Sequence, residues 1–439
     1  MHGALLATIA AITTFFSFPH ALSQETVLRK FQAGFDGFEP RSGVVFDRAG
    51  NFYGTTFSGG NSSGGAGTVF EMSPPAMPGS TWTETIIHRF SYHSIASGLS
   101  PWGGLAIDQD GNVFGTAWLG GTCGSCGLVF ELSPPTRQGG RWRYKIIHDF
   151  QNDGRDGINP RANVAIDPQG MHLYGTTASG GTGGCEGGCG TVFELTNVGG
   201  IWAETILHSF PAHGSGFEAS GGTGGGVALD RAGDVYGTSY EDGDFHLGSV
   251  FELSPPTQGG SWSYQNLYSF RSESDGFDPT AGVSFDSHGD LFGTTSSGGI
   301  QGCYGTGCGT VFRLHQRADG TWGHAILYAF KGLGDGGTPA SGVIVGGSGT
   351  VFGTTQIWGI GNGCTGSGCG VAFALTKPVG SGLWNETVLH TFLHGPNGYV
   401  PYGELIFGPD GELYGATQFG GKPACSSGFG CGTVFSLTP

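Results

Sequence analysis

Charge is scarce in this chain, and basic charge is scarcest: 18 Lys and Arg stand against 34 Asp and Glu, and charged residues make up only 12%. The formal net charge of −16 lacks the basic patch that nucleic acid or an anionic membrane requires, so neither is expected as a partner. Long apolar runs are missing after the first residues. No later stretch approaches the ~20 residues of a membrane span, so the mature chain should have none. Helical periodicity is missing throughout. The 89 glycines show no Gly-X-Y period, which excludes a collagen-like rod. No G-x-x-x-x-G-K-[S/T] motif occurs either, and the glycine-rich loops lead into strands, so they are not phosphate loops.

What is present begins with an export signal. The apolar run Ala4 to Phe18 is followed by Ala21-Leu22-Ser23, a small-x-small cleavage pattern. Residues 1–23 are read as a signal peptide and 24–439 as the mature domain, secreted or periplasmic, where disulfides can form. Apolar residues still reach 37%, with 32 Phe, so a substantial core is available.

Self-similarity outweighs any local motif. Trp82, Trp142, Trp202, Trp262 and Trp322 recur every sixty residues, and Trp384 follows after sixty-two. Each opens a strand-like segment such as "WTETIIHRF" or "WAETILHSF". Around each lie an apolar strand such as "GVVFD", a tight turn with "NFYGTT", a Gly-rich loop and "GTVFEL". The cores at Gly54, Gly115, Gly175, Gly237, Gly293, Gly353 and Gly415 count seven units. Four strands per unit, seven times over, predict an all-β seven-bladed propeller of four-stranded blades. The orphan segment "ETVLRKF" at Glu25–Phe31 lacks a partner, and the terminal "GTVFSLTP" lacks a following Trp strand. The N-terminal strand should therefore pair into the last blade and close the ring, removing an open edge.

The pattern "LYGTT–GG–G–GTVFEL" with "ETVLHSF" resembles the GloVer tandem-repeat family of exported bacterial proteins. The resemblance covers nearly the whole mature chain. It implies tandem repeats and export, and brings no catalytic residues to carry over.

Repetition also serves as a control, because a single site does not need seven copies. His88, His148, His208 and His390 share one strand position with Tyr268 and Tyr328, so they are read as packing residues with a satisfied ring nitrogen. Asp47, Asp108, Asp167, Asp230 and Asp286 are read as turn residues that bond the backbone. "DQDGN" at Asp108–Asn112 imitates a calcium loop without its ligand spacing. The ten cysteines form five local pairs, Cys123–Cys126, Cys185–Cys189, Cys303–Cys308, Cys364–Cys369 and Cys425–Cys431. Two blades lack both members and none has one alone, which favours disulfides. Metal and redox roles are the alternatives. A zinc site needs about four converging ligands, whereas these pairs are spread around a ring.

Function is expected on the face built from the Gly/Cys loops and the [D/N/S]-G-x-x-[P/A] loops, where rigid scaffolds place variable chemistry. There the non-repeated aromatics Phe57, Trp102, Trp118, Tyr240, Trp358, Tyr399, Tyr402 and Phe419 are candidate ligand-binding residues. Exposed rings beside Asp, Asn and Gly suit stacking on sugars; gap-filling between loops is the structural alternative. Blade 4 departs furthest, with "SYEDGDFHLGS" in its Gly/Cys position. Glu241, Asp242 and Asp244 could hold Ca²⁺, the one cofactor considered, and Glu241, Asp242 and His246 are candidate acid/base groups. A solvated acidic loop is the plain alternative. The resulting expectation is a non-enzymatic, exported binding protein for an extracellular polysaccharide or cell-envelope component. A polysaccharide lyase or hydrolase, and a structural or protein-interaction module of the envelope, are the competing readings.

Overall fold

The computed structural model describes residues 24–439 except 62–64, 78–79, 138, 186, 212–225, 258, 272, 301, 333, 360–368, 379, 381, 383, 424 and 426–427. The signal-peptide expectation, Cys364 and most of the blade 4 insertion at 218–226 lie outside the described residues. Seven antiparallel sheets form a ring, which is the seven-bladed propeller the repeats predict. Strands are lettered a to d from the axis outward; blade 1 runs Val45–Phe46, Phe52–Thr56, Gly65–Ser73, Thr83–Ser91. In blade 7 the order is Ile406–Phe407, Leu413–Phe419, Thr433–Leu437 and then Glu25–Lys30. Thr26 pairs with Ser436 and Val27 with Phe435, so the first strand does close the ring.

Six d strands carry two adjacent apolar residues ("II", "IL", "VL") and that of blade 4 carries Asn266–Leu267, which breaks strict alternation. Every d strand accommodates them with a bulge, for example opposite Val129/Phe130 and Val250/Phe251. The extra residue, such as Ile147 or Leu327, turns inward and is buried. Each d strand then ends on a Phe that is at most 1% exposed. That ring meets the c-strand Phe of the next blade, from Phe31–Phe70 at 5.3 Å and Phe90–Phe130 at 5.5 Å to Phe392–Phe435 at 5.1 Å. The core is thus divided into clusters between neighbouring blades rather than gathered at one centre.

The glycine of each Y/F-G-T core answers to the same packing. A Cβ on Gly54 or Gly175 would sit 2.5 Å from Cζ of Phe70 or Phe193, so the c-strand ring requires a bare backbone beneath it. The Asp turns behave as expected: Asp108 accepts from the N–H groups of Asp110 and Asn112 at 2.9 and 2.8 Å. Four disulfides, Cys123–Cys126, Cys185–Cys189, Cys303–Cys308 and Cys425–Cys431, match the expected pairs. Cys369 is also disulfide-bonded; its expected partner Cys364 falls outside the described residues.

Candidate functional site

One residue in each of the six described d–a loops fastens two blades together. Glu39, Ser100, Asn159, Asp278, Thr338 and Val400 all take positive φ, from 52° to 60°. This left-handed conformation is costly for non-glycine residues, and it turns both backbone groups toward loops on either side. Each N–H donates to the Gly/Cys loop of the preceding blade: Asn159 to Cys126 O at 2.7 Å, Thr338 to Cys308 O at 2.8 Å, Glu39 to Cys431 O at 2.9 Å. The carbonyls of Glu39, Ser100 and Asn159 accept from Phe57, Trp118 and Ala178 of their own blades. A disulfide therefore stiffens the loop that its neighbour grips.

A proline follows each of these residues, and the position after it leads toward the innermost, a strand of the blade. In chain order it holds Arg41, Trp102, Arg161, Thr280, Ala340 and Tyr402. On one side, a cluster of alternating rings and guanidinium groups forms. The Arg41 guanidinium lies 3.9 Å from the Phe57 ring centre and 4.5 Å from Trp102; that of Arg161 lies 5.6 Å from Trp102 and 5.0 Å from Trp118. Phe57 and Trp102 meet edge-on at 5.1 Å, as do Trp102 and Trp118 at 5.3 Å. Glu39 pairs with Arg41 at 2.8 Å, which fixes that guanidinium over its rings. All five side chains are half-buried, in contrast to the exposed rings expected from sequence.

Two residues further along, just before the a strands, neighbouring blades approach closely. Gly43, Gly104, Gly226, Gly282 and Gly342 occupy this position in five blades, Asn163 and Glu404 in the others. Asn163 Oδ1 accepts from Gly104 N–H at 2.5 Å. A Cβ on Gly342 would collide with Glu404 Oε1, so Glu404 fills space that glycine leaves. Burial pushes its carboxyl up to about 7.

The remaining aromatic candidates do not join this cluster. Tyr399 is buried, donates to Phe429 O at 2.9 Å, and packs on Phe419 at 5.7 Å. Trp358 adjoins Gly332 and Gly337 beside the Cys303–Cys308 bridge. Tyr240 bonds the Asp278 carboxyl, which burial raises to about 6. Tyr402 is half-buried. Phe57, Trp102 and Trp118 come together as a group of three, and Arg41 and Arg161 are the partners that a search for aromatics misses.

Overlapping matches to the Gloeobacter/Verrucomicrobia repeat cover residues 10–223, 66–303, 134–366 and 223–439. The chain belongs to that repeat family. No curated protein matches it. Solved structures resemble it at low identity. A Lactobacillus plantarum protein is 12% identical, with a TM-score of 0.47 over 82% of this chain and 86% of that one. PorZ of Porphyromonas gingivalis, a surface component of the type-IX secretion system, is 13% identical, with a TM-score of 0.46 over 93% of this chain and 47% of PorZ. A Thermus thermophilus protein described as an oxidoreductase (glucose dehydrogenase) is 17% identical, with a TM-score of 0.45 over 77% of this chain and 96% of that one.

Within this repeat-family chain, the blade 4 loop separates its acidic candidates. Asp242 is buried and accepts from Tyr264 Oη at 3.0 Å, so it serves the joint between blades 3 and 4. Asp244 and His246 are exposed, and Glu241 is half-buried near Tyr240 and Asp278. Asp242, Asp244 and His246 border a cleft of about 340 Å³ with His208 and Tyr264. Among the described residues, the one group of three potential metal ligands with donor atoms within 4.8 Å of one another lies elsewhere, at His148, Asp156 and Glu204.

Proposed function

We propose that this repeat-family propeller is an exported binding protein that holds an extracellular glycan at the mouth of its channel. The supporting observation is the cluster of Arg41, Phe57, Trp102, Trp118 and Arg161, assembled from separate loops, in which Arg41, Trp102 and Arg161 stand where other blades carry Thr280 or Ala340. Indole and phenyl faces pack against the C–H side of a sugar ring. The guanidinium N–H groups donate to hydroxyl or carboxylate oxygens. Glu404 and Asn163, just inside the channel, add polar groups that could bond a sugar end entering it.

The test is a polysaccharide panel of neutral and uronic-acid polymers, read for both retention and product release. Retention that falls at least ~10-fold in Trp102→Ala and Trp118→Ala, with thermal stability kept, supports the reading. Retention unchanged in both variants rejects it, and release of cleaved product would make the protein an enzyme instead. N-terminal sequencing of the exported chain should find a start at Gln24.

A further inference from the structure

The outer joint between neighbouring blades repeats seven times with different chemistry. A residue near the end of each d strand faces one near the start of the next blade's d strand. Three joints carry a stacked ring pair, and in two of them a histidine near the end of the d strand lies on a tyrosine: His88 on Tyr144 and His208 on Tyr264, both at 3.9 Å and within 8° of parallel. The tyrosine hydroxyls there donate to Ser97 O and Asp242 Oδ2. At the joint between blades 4 and 5, Tyr268 stacks on His324 at 4.2 Å and donates to Asp275. Between blades 7 and 1, Arg29 bridges Asp36 and Glu84. There a permanent cation sits between two carboxylates.

The joint between blades 2 and 3 keeps both carboxylates, Asp156 and Glu204, and replaces the arginine with His148. His148 Nε2 lies 3.4 Å from Asp156 Oδ2 and 3.4 Å from Glu204 Oε1. His148 Nε2, Asp156 Oδ1 and Glu204 Oε1 are buried atoms without a hydrogen bond of good geometry, and the Asp156 side chain is nine-tenths buried. Asp149 and Asp153 add negative charge nearby.

We infer that His148, Asp156 and Glu204 form a binding site for a first-row divalent cation such as Zn²⁺, which stands where the Arg29 guanidinium stands at the closing joint. One imidazole nitrogen and two carboxylate oxygens are a donor set suited to such ions. A tetrahedral ion with bonds of about 2.0–2.1 Å places its ligand atoms roughly 3.3 Å apart, close to the two 3.4 Å separations from His148, and all three donor atoms lie within 4.8 Å of one another. Solvent completes the coordination from the rim. The ion ties blade 2 to blade 3 and lies apart from the channel mouth, so its fate and that of the glycan reading are independent.

The experiment titrates the EDTA-stripped exported chain with ZnCl₂ by calorimetry and with Co²⁺ by visible absorption. Uptake of one equivalent, weakened at least ~10-fold in His148→Ala and Glu204→Gln and unchanged in His208→Ala, is expected. His148→Arg rebuilds the joint of blades 7 and 1; it should melt no lower than the metal-free parent and take up no ion at this site. Absence of stoichiometric uptake, or uptake undiminished in His148→Arg, overturns the inference.

Discussion

Two sets of residues lie a few ångströms apart on the loop-rich face and obey opposite rules. The fastening residues Glu39, Ser100, Asn159, Asp278, Thr338 and Val400 differ in side chain but share one backbone conformation and one bonding pattern. Two places later, Arg41, Trp102, Arg161, Thr280, Ala340 and Tyr402 share a backbone position but divide by side chain into a ring-and-guanidinium arc and a small-residue arc. In the first set the main chain holds the fold together, so side chains are free to vary. In the second, the variation itself is concentrated on one side of the mouth. Physical burden on the backbone is what frees the side chains to vary.

That contrast can be broken from either side. The largest effect is expected where side chains do carry the fold: Phe150→Ala removes a ring that is fully buried and 5.3 Å from Phe193, and should cost about 3–5 kcal/mol in urea unfolding. A loss below about 1 kcal/mol would show that the joints are held by their backbone bonds instead. The double change Cys303→Ser/Cys308→Ser, which loosens the loop gripped by Thr338, should cost about 2 kcal/mol through loop-closure entropy. An unchanged midpoint would separate the bridge from the fastening.

A third test lies in the channel. The Glu404 carboxyl releases its proton near 4.5 when unfolded and near 7 in the fold. The folded state then binds more protons between these values, so this group lowers stability as pH rises through that window. Glu404→Gln should therefore gain about 3 kcal/mol over the parent at about pH 8 and nothing at about pH 4. A gain equal at both would place the effect in packing rather than charge. The smallest stability effect belongs to the mouth: Arg161→Ala should shift unfolding by less than about 1 kcal/mol yet weaken glycan retention ~10-fold, while Thr280→Ala changes neither. Equal effects of the two substitutions on retention would erase the distinction between the arcs.

Much of the fold was legible because each element is stated seven times. Trp spacing, paired cysteines and the unpartnered "ETVLRKF" led directly to blades, bridges and closure. The histidines illustrate the limit. They were read as packing with a satisfied nitrogen; His88 and His208 do pack, on tyrosines of the next blade, but their Nε2 atoms have no hydrogen bond. His148 shares their strand position and faces two carboxylates instead, because its environment is set by Glu204, fifty-six residues later. The candidate site was half legible for the same reason. Trp102 and Trp118 stood out as non-repeated rings, but their approach to Arg41 and Arg161 depends on loops from successive blades meeting at one mouth. The available signal was the alternation of Arg, Trp and Arg after proline, which only an alignment by blade brings into view.

The pairing of Glu25–Lys30 with Thr433–Leu437 also governs the order of events as the chain folds. A strand made early can be placed only late, since its partner follows all the other blades in synthesis. Closing a loop of roughly 400 residues costs only about 2 kcal/mol more than closing one of about 60, so distance along the chain is a minor obstacle. Timing is the greater one. Until that partner strand appears, six blades wait with an uncovered edge at each end, and whatever shields those edges as the chain emerges decides how much of the protein becomes a ring.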